Sequence, residues 1–232
     1  MLIWDSTIII VIPAVILAAI AQAMVSRAFN KWSRVAARSG YTGAQVAQLL
    51  LRHGAARFGD RGAGLSQVSI TPGEGFLSDH YNPLNRTLSL SPDVYHGNSI
   101  AALAVAAHET GHAFQHATGY GPLGLRSILV PAATAGQLSW ILFIIGLFVH
   151  LPVIQNIAIW IFAGATLFTF VTLPVEFNAS SRAMGMLQEA GVLAADELPG
   201  ARSVLGAAAL TYVAAALMAA LQLLRMIMLR RD

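Results

Sequence analysis

Four apolar stretches, each close to the length that a bilayer demands, constrain this chain more than any other feature. They run from about Ile8 to Val25, Ile128 to Val149, Pro152 to Val175 and Val204 to Leu224, and a spanning helix needs about 20 such residues. Composition agrees. Charged residues make up 11% of the 232, where a soluble domain carries about 25%, and the mean hydropathy is +0.64. The expected fold is a mainly α integral membrane protein, a bundle of three to four transmembrane helices with a small α+β cytoplasmic part. The first stretch lacks the basic leader and short apolar core of a cleaved signal peptide and reads as a retained anchor. Only His150 and Leu151 separate the second stretch from the third, which opens on Pro152, and this suits the turn of a helical hairpin. The fourth is rich in Ala and Leu, and small side chains favour close helix packing.

Basic residues give the sidedness. Arg27, Lys31, Arg34 and Arg38 follow the first span and only Asp5 precedes it, so the positive-inside rule puts the loop after span one in the cytoplasm. The hairpin then returns the chain to that side near Glu176. In the tail, Arg225, Arg230 and Arg231 favour the cytoplasm, whereas a full fourth crossing would leave them outside, so the sequence leaves open whether 204–224 crosses. The expected division is an anchor (1–26), a cytoplasmic segment (27–126), a transmembrane hairpin (127–175), a second cytoplasmic segment (176–203) and a C-terminal apolar helix (204–232).

Other classes fall away. With no cysteine there is no disulfide framework, no thiolate nucleophile and no Cys-ligated metal, so any metal rests on His, Asp, Glu or carbonyl ligands. The net charge of +3 is scattered, which argues against a nucleic-acid partner.

Within 27–126, Thr42 is placed to cap a helix over about 43–53 that Gly54 ends. The glycine-rich run from Gly59 to Gly64 reads as a loop. The runs Gln67 to Thr71 and Thr87 to Leu90 alternate like strands, and Ser99 can cap a helix from Ile100 to about Ala117.

That last helix holds His108-Glu109-Thr110-Gly111-His112. A spacing of i and i+4 puts both imidazoles on one face within reach of one zinc ion, and Glu109 is placed to act as general base on the water that the ion activates. Its flanks, Val105-Ala106-Ala107 and Ala113-Phe114, are uncharged, and three polar groups on an apolar helix are costly unless each has a task. Gly111 costs about 1 kcal/mol of helix stability relative to Ala, which suggests that another helix approaches there. For a third ligand, Glu176 lies at a membrane boundary on the side of the His helix. Glu189, Asp196 and Glu197 read as a solvated face, and Glu74, Asp79 and Asp93 as turn residues. His116 extends the histidine face by a turn and suits a boundary role. A transition-state oxyanion needs a further donor, for which His80, Tyr81, Tyr95 and Arg182 are candidates.

The runs Leu77-Ser78-Asp79-His80-Tyr81-Asn82-Pro83, Leu88-Ser89-Leu90-Ser91-Pro92, Ala106 to Ala113 and Leu173-Pro174-Val175-Glu176-Phe177-Asn178-Ala179-Ser180 together resemble the bacterial YugP-like family of membrane zinc metallopeptidases. More distantly the chain is similar to gluzincin peptidases of the HtpX type. The resemblance implies a zincin-like catalytic part in 27–126, His108, His112 and Glu176 as zinc ligands, and Glu109 as general base. Those distant relatives place an Asp four residues after the third ligand to orient a histidine. Here Ser180 stands there, so Ser180 or the amide of Asn178 is expected to support the ligands from outside. The strand Thr87-Leu88-Ser89-Leu90 is a candidate edge for binding an extended peptide.

The expected function is a zinc metallopeptidase that hydrolyses membrane-associated or misfolded polypeptides at the cytoplasmic face of the bacterial cytoplasmic membrane, with a polypeptide substrate and the lipid bilayer as partners. Two rivals are a site-2-type intramembrane protease and a non-catalytic zinc-binding scaffold or chaperone.

Overall fold

A computed structural model describes residues 6–75 and 78–231; Asp5 and Leu77, used above, lie outside them. Its elements follow the order α1 (Ile12–Trp32), α2 (Gly43–Phe58), β1 (Ser69–Pro72), β2 (His80–Asn82), β3 (Thr87–Leu90), α3 (Pro92–Tyr95), α4 (Ile100–Ala117), α5 (Gly121–Phe148), α6 (Pro152–Glu189) and α7 (Leu198–Arg231). The chain divides into two compact units. One comprises Met1–Gln22, Gly121–Pro174 and Leu210–Asp232, and the other Ala23–Tyr120 and Val175–Ala209.

The first unit is helical. Among the described residues four helices are long and apolar enough to cross a membrane: Thr7–Trp32, Gly121–Phe148, Pro152–Glu189 and Leu198–Arg230. Ile128 and Trp160 turn 75% and 77% of their surface outward, which water would penalise and a lipid surface would not. Inside, Phe143, Ala158 and Met226 are fully buried. The hairpin turn falls where the sequence reading puts it. His150 takes a left-handed φ of 54° and Pro152 opens α6, a position where its missing N–H costs nothing.

The far end of α7 meets this turn. Leu229 and Arg230 line a cavity of about 530 Å³ together with His150, Pro152 and Gln155. Arg225 donates from Nε to the Thr7 hydroxyl at 3.2 Å, and its guanidinium lies 5.4 Å from the Trp140 ring centre. Helix α7 therefore reaches the hairpin end of this unit as a fourth helix long and apolar enough to cross a membrane. The basic tail lies at that end, where Arg225 has an aromatic face and a hydroxyl as neighbours.

Two helices extend well beyond the apolar stretches read from the sequence. Helix α5 begins at Gly121, ahead of Ile128, with Pro122 in its first turn. Helix α6 passes through Pro174 and ends at Glu189. Pro174 removes one backbone donor, but Val175, Ala179, Ala183 and Leu187, spaced by four, are all 0% exposed. Burial of that stripe outweighs the proline.

In the second unit, Ala183 and Leu187 of α6 pack with Ile100, Leu103, Ala104 and Ala107 of α4 and with Ala201, Val204 and Leu205 of α7. Thr42 caps α2 by a capping box with Gln45, and the Ser99 hydroxyl caps α4 by accepting from the Ala102 N–H. Helix α2 runs on through Gly54 to Phe58, so Gly54 is not a stop signal. A side chain there would collide with the Phe114 ring, so the glycine serves the contact between α2 and α4.

The three strands form one sheet in the order β1-β3-β2, with β1 parallel and β2 antiparallel to β3. This corrects the expectation that Thr87, Leu88, Ser89 and Leu90 offer a free edge. Strand β3 is the middle strand and pairs on both sides, so no peptide can add to it.

Glu197 is a second correction. It is 6% exposed, and its carboxylate accepts from the backbone N–H groups of Arg38 at 2.9 Å and Ala194 at 2.8 Å. It ties the segment after α1 to the connection between α6 and α7. Glu189 and Asp196 are exposed, as expected, and pair with Arg57 and Arg38.

Candidate metal centre

Helix α4 presents His108 and His112 one turn apart, and α6 brings Glu176 to them. The Glu176 carboxylate is 3% exposed. Its Oε2 lies 3.2 Å from Nε2 of His108 and 3.6 Å from Nε2 of His112, and one ligand atom from each residue falls within 4.8 Å of the other two. Zinc bonds of about 2.0–2.1 Å in tetrahedral geometry put ligand atoms about 3.3 Å apart, close to the two distances from Glu176 to the imidazoles. The donor set, two imidazoles and one carboxylate, is one that catalytic zinc sites use with a fourth position open. A carboxylate this deeply buried requires a positive partner, and an ion among the three supplies one.

Each histidine is supported from behind. His108 Nδ1 meets the Ser180 hydroxyl at 3.1 Å. His112 Nδ1 meets Oε1 of Gln115 at 3.0 Å, while Nε2 of Gln115 donates to the Val175 carbonyl at 2.7 Å and to Oδ1 of Asn178 at 3.1 Å. Ser180 and Asn178 thus stand behind different histidines, the first directly and the second through Gln115. Burial pulls the His112 pKa down, but hydrogen bonding to Glu176 and the negative charges of Glu109 and Glu176 more than reverse this, leaving it above the ordinary imidazole value.

Glu109, next along α4, is 9% exposed. Its charge acts on both His112 and Asp79. Asp79 is more than a turn residue, since it accepts from the Ser91 N–H at 2.8 Å and from the Ser91 hydroxyl at 3.0 Å. Burial, partly offset by those bonds, raises its pKa, and Glu109 adds to the rise.

Gly111 is where α4 and α6 meet. A Cβ on it would lie 2.6 Å from the Ala179 carbonyl oxygen, and that atom is helix backbone that cannot yield. Gly111→Ala gains about 1 kcal/mol of helix propensity yet overpacks this contact at a cost of about 1–3 kcal/mol. We expect a lower thermal midpoint and weaker zinc retention. A variant with a higher midpoint and full zinc would contradict the close approach.

The four oxyanion candidates separate. The Tyr81 hydroxyl is 2.9 Å from Nδ1 of His116, one turn of α4 beyond His112. Burial holds the Tyr81 phenol above its usual pKa, while burial and the charge of Arg86 hold His116 below the usual imidazole value. Arg182 donates from Nε to Oδ1 of Asn178 at 2.8 Å. His80 turns its Nδ1 to the Ser78 carbonyl. Tyr95 stacks edge-on with His96 and lines a cavity of about 710 Å³ with residues of α2, Val68 and Ile70. Sequence reasoning misses Gln115 altogether. The available signal is its position three residues after His112 on an otherwise apolar helix.

A family model described as "Putative neutral zinc metallopeptidase" matches residues 7–231. The chain is 42% identical over 210 residues to "Putative membrane protease YugP" of Bacillus subtilis (strain 168), covering 90% of this chain and 89% of that protein. No solved structure matches at a comparable level of significance.

Proposed function

This chain belongs to the YugP-like family of neutral zinc metallopeptidases, and from that premise we propose that it hydrolyses peptide bonds of membrane-associated or misfolded proteins at the cytoplasmic face of the bacterial cytoplasmic membrane. The observation that carries this reading is the convergence of His108, His112 and Glu176 beside a buried Glu109. Binding alone needs the first three; a hydrolase also needs the fourth.

His108, His112 and Glu176 would hold the ion. Zinc in such a site supplies Lewis acidity, which brings the pKa of water towards 7 and polarises a carbonyl. Glu109 takes the proton from the attacking water and passes it to the leaving amine. Its low exposure keeps bulk water from competing for that proton. Tyr81 and Arg182, each one hydrogen bond from a group that flanks the ligands, are the donors we assign to the developing oxyanion. Helix α4 is not among the four helices that qualify as spans, so His108, Glu109 and His112 lie outside the candidate membrane segments, while Glu176 lies within the helix Pro152–Glu189.

Connectivity supports a single face. Were each of the four candidate spans to cross, the chain after the third would return to the side that it reaches after the first. The basic residues after α1 make that side cytoplasmic. In this Cys-free chain, cysteines introduced at Ser66 and Ser181, both exposed, should react with a membrane-impermeant maleimide only when it is given access to the cytoplasmic side. Labelling of either in intact cells would overturn the orientation.

A further inference from the structure

We infer that Gln115 is a positioning residue for zinc. It holds the proton of His112 on Nδ1, leaves Nε2 free for the metal, and ties that histidine to the helix that carries Glu176. The inference rests on the zinc reading above and assigns a role to a residue outside the ligand set.

Gln115 is 0% exposed, and a buried amide with unmade bonds is costly, so each contact identifies a donor and an acceptor. The Val175 carbonyl can only accept and lies 2.7 Å from the Gln115 amide nitrogen. A flipped amide would set two carbonyl oxygens against each other, so the orientation is determined. A second anchor gives the same answer. Arg182 can only donate and does so to Oδ1 of Asn178 at 2.8 Å, and that same oxygen receives Nε2 of Gln115 at 3.1 Å.

With the nitrogen directed to α6, Oε1 of Gln115 faces His112 Nδ1 at 3.0 Å. An acceptor there requires the proton on Nδ1. His112 Nε2, directed to Glu176 at 3.6 Å, then keeps its lone pair for the metal. The order of donors from both ends is therefore settled by groups with no choice of role. His108 differs, because its Nδ1 partner is the Ser180 hydroxyl, which can donate or accept.

The second consequence is mechanical. Val175 immediately precedes Glu176, so one amide links the His112 ring to the backbone beside the third ligand. It fixes the spacing of two ligands from two helices before an ion arrives, which is the preorganisation that outer partners give to metal sites.

The test is a zinc dissociation constant, measured by chelator competition on the full-length protein in detergent, for wild type and for Gln115→Leu. Loss of an outer partner costs about 10–100-fold in metal affinity, and that weakening is expected for Gln115→Leu. If wild type binds zinc and Gln115→Leu binds it equally well, the role of Gln115 is wrong while the zinc site stands. If wild type binds none, the zinc reading falls and this inference with it. Should Gln115→Leu fail to fold, the nitrogen shifts of ¹⁵N-histidine in zinc-loaded wild type decide. Metal on Nε2 and a proton on Nδ1 of His112 support the assignment, and coordination through Nδ1 overturns it.

Discussion

Glu109→Gln should abolish peptide hydrolysis while leaving the protein folded and loaded with zinc. Glutamine matches glutamate in shape, so a residue 9% exposed can be replaced without opening a cavity, and the three ligand side chains are untouched. What disappears is the proton acceptor. General-base catalysis contributes about 10²–10⁴-fold, so kcat on an unfolded or membrane-bound polypeptide should fall by at least about 100-fold, with KM little changed. The comparison needs both numbers from one preparation: turnover, and zinc per chain. Zinc retained with turnover lost assigns Glu109 to chemistry. Equal turnover in the two proteins would remove the hydrolytic reading and leave a zinc-binding membrane scaffold.

Glu176→Ala should have the larger effect on metal. Its carboxylate meets both imidazole nitrogens and lies 3% exposed, so its removal leaves two neutral ligands one helical turn apart, with no charge to offset that of the ion. An outer partner is worth about 10–100-fold in affinity; a charged direct ligand should be worth more than that, enough to strip zinc during purification. Glu176→Gln keeps the volume and should also lose zinc, which separates the ligand role from packing. Wild-type stoichiometry in both variants would reject Glu176 as the third ligand.

The parts of the molecule legible in the sequence are those governed by short-range rules. Thr42 and Ser99 cap their helices as their positions suggest, α4 spans Ile100–Ala117, and the hairpin turn at His150 follows from its proline. Gly111 also reads correctly, because a glycine inside a helix beside two histidines has few uses other than close approach. Long-range effects override local signals elsewhere. The third apolar stretch ends at Val175, but the buried stripe from Val175 to Leu187 carries α6 on to Glu189. Gly54 reads as a stop, but the Phe114 ring explains it. Thr87 to Leu90 reads as a strand without showing its neighbours, and only the pairing of β1 and β2 reveals that it is central.

The site divides in the same way. His108, Glu109 and His112 are visible from one helical period, and Glu176 from the scarcity of carboxylates in a chain with 11% charged residues. Gln115 and Asp79 act through partners distant in sequence or on another element, Val175 for the first and Ser91 for the second. Glu197 is invisible for the same reason, since its acceptor role depends on the backbone of Arg38.

The central claim is that a zinc ion held by His108, His112 and Glu176 lets this chain cut peptide bonds. Its most direct test is the rate of cleavage of an unfolded polypeptide by the purified protein in proteoliposomes, before and after zinc is removed by a chelator and then restored at one ion per chain. Cleavage that stops on removal and returns with a single equivalent is the predicted result. Cleavage that continues in zinc-free protein would contradict the account.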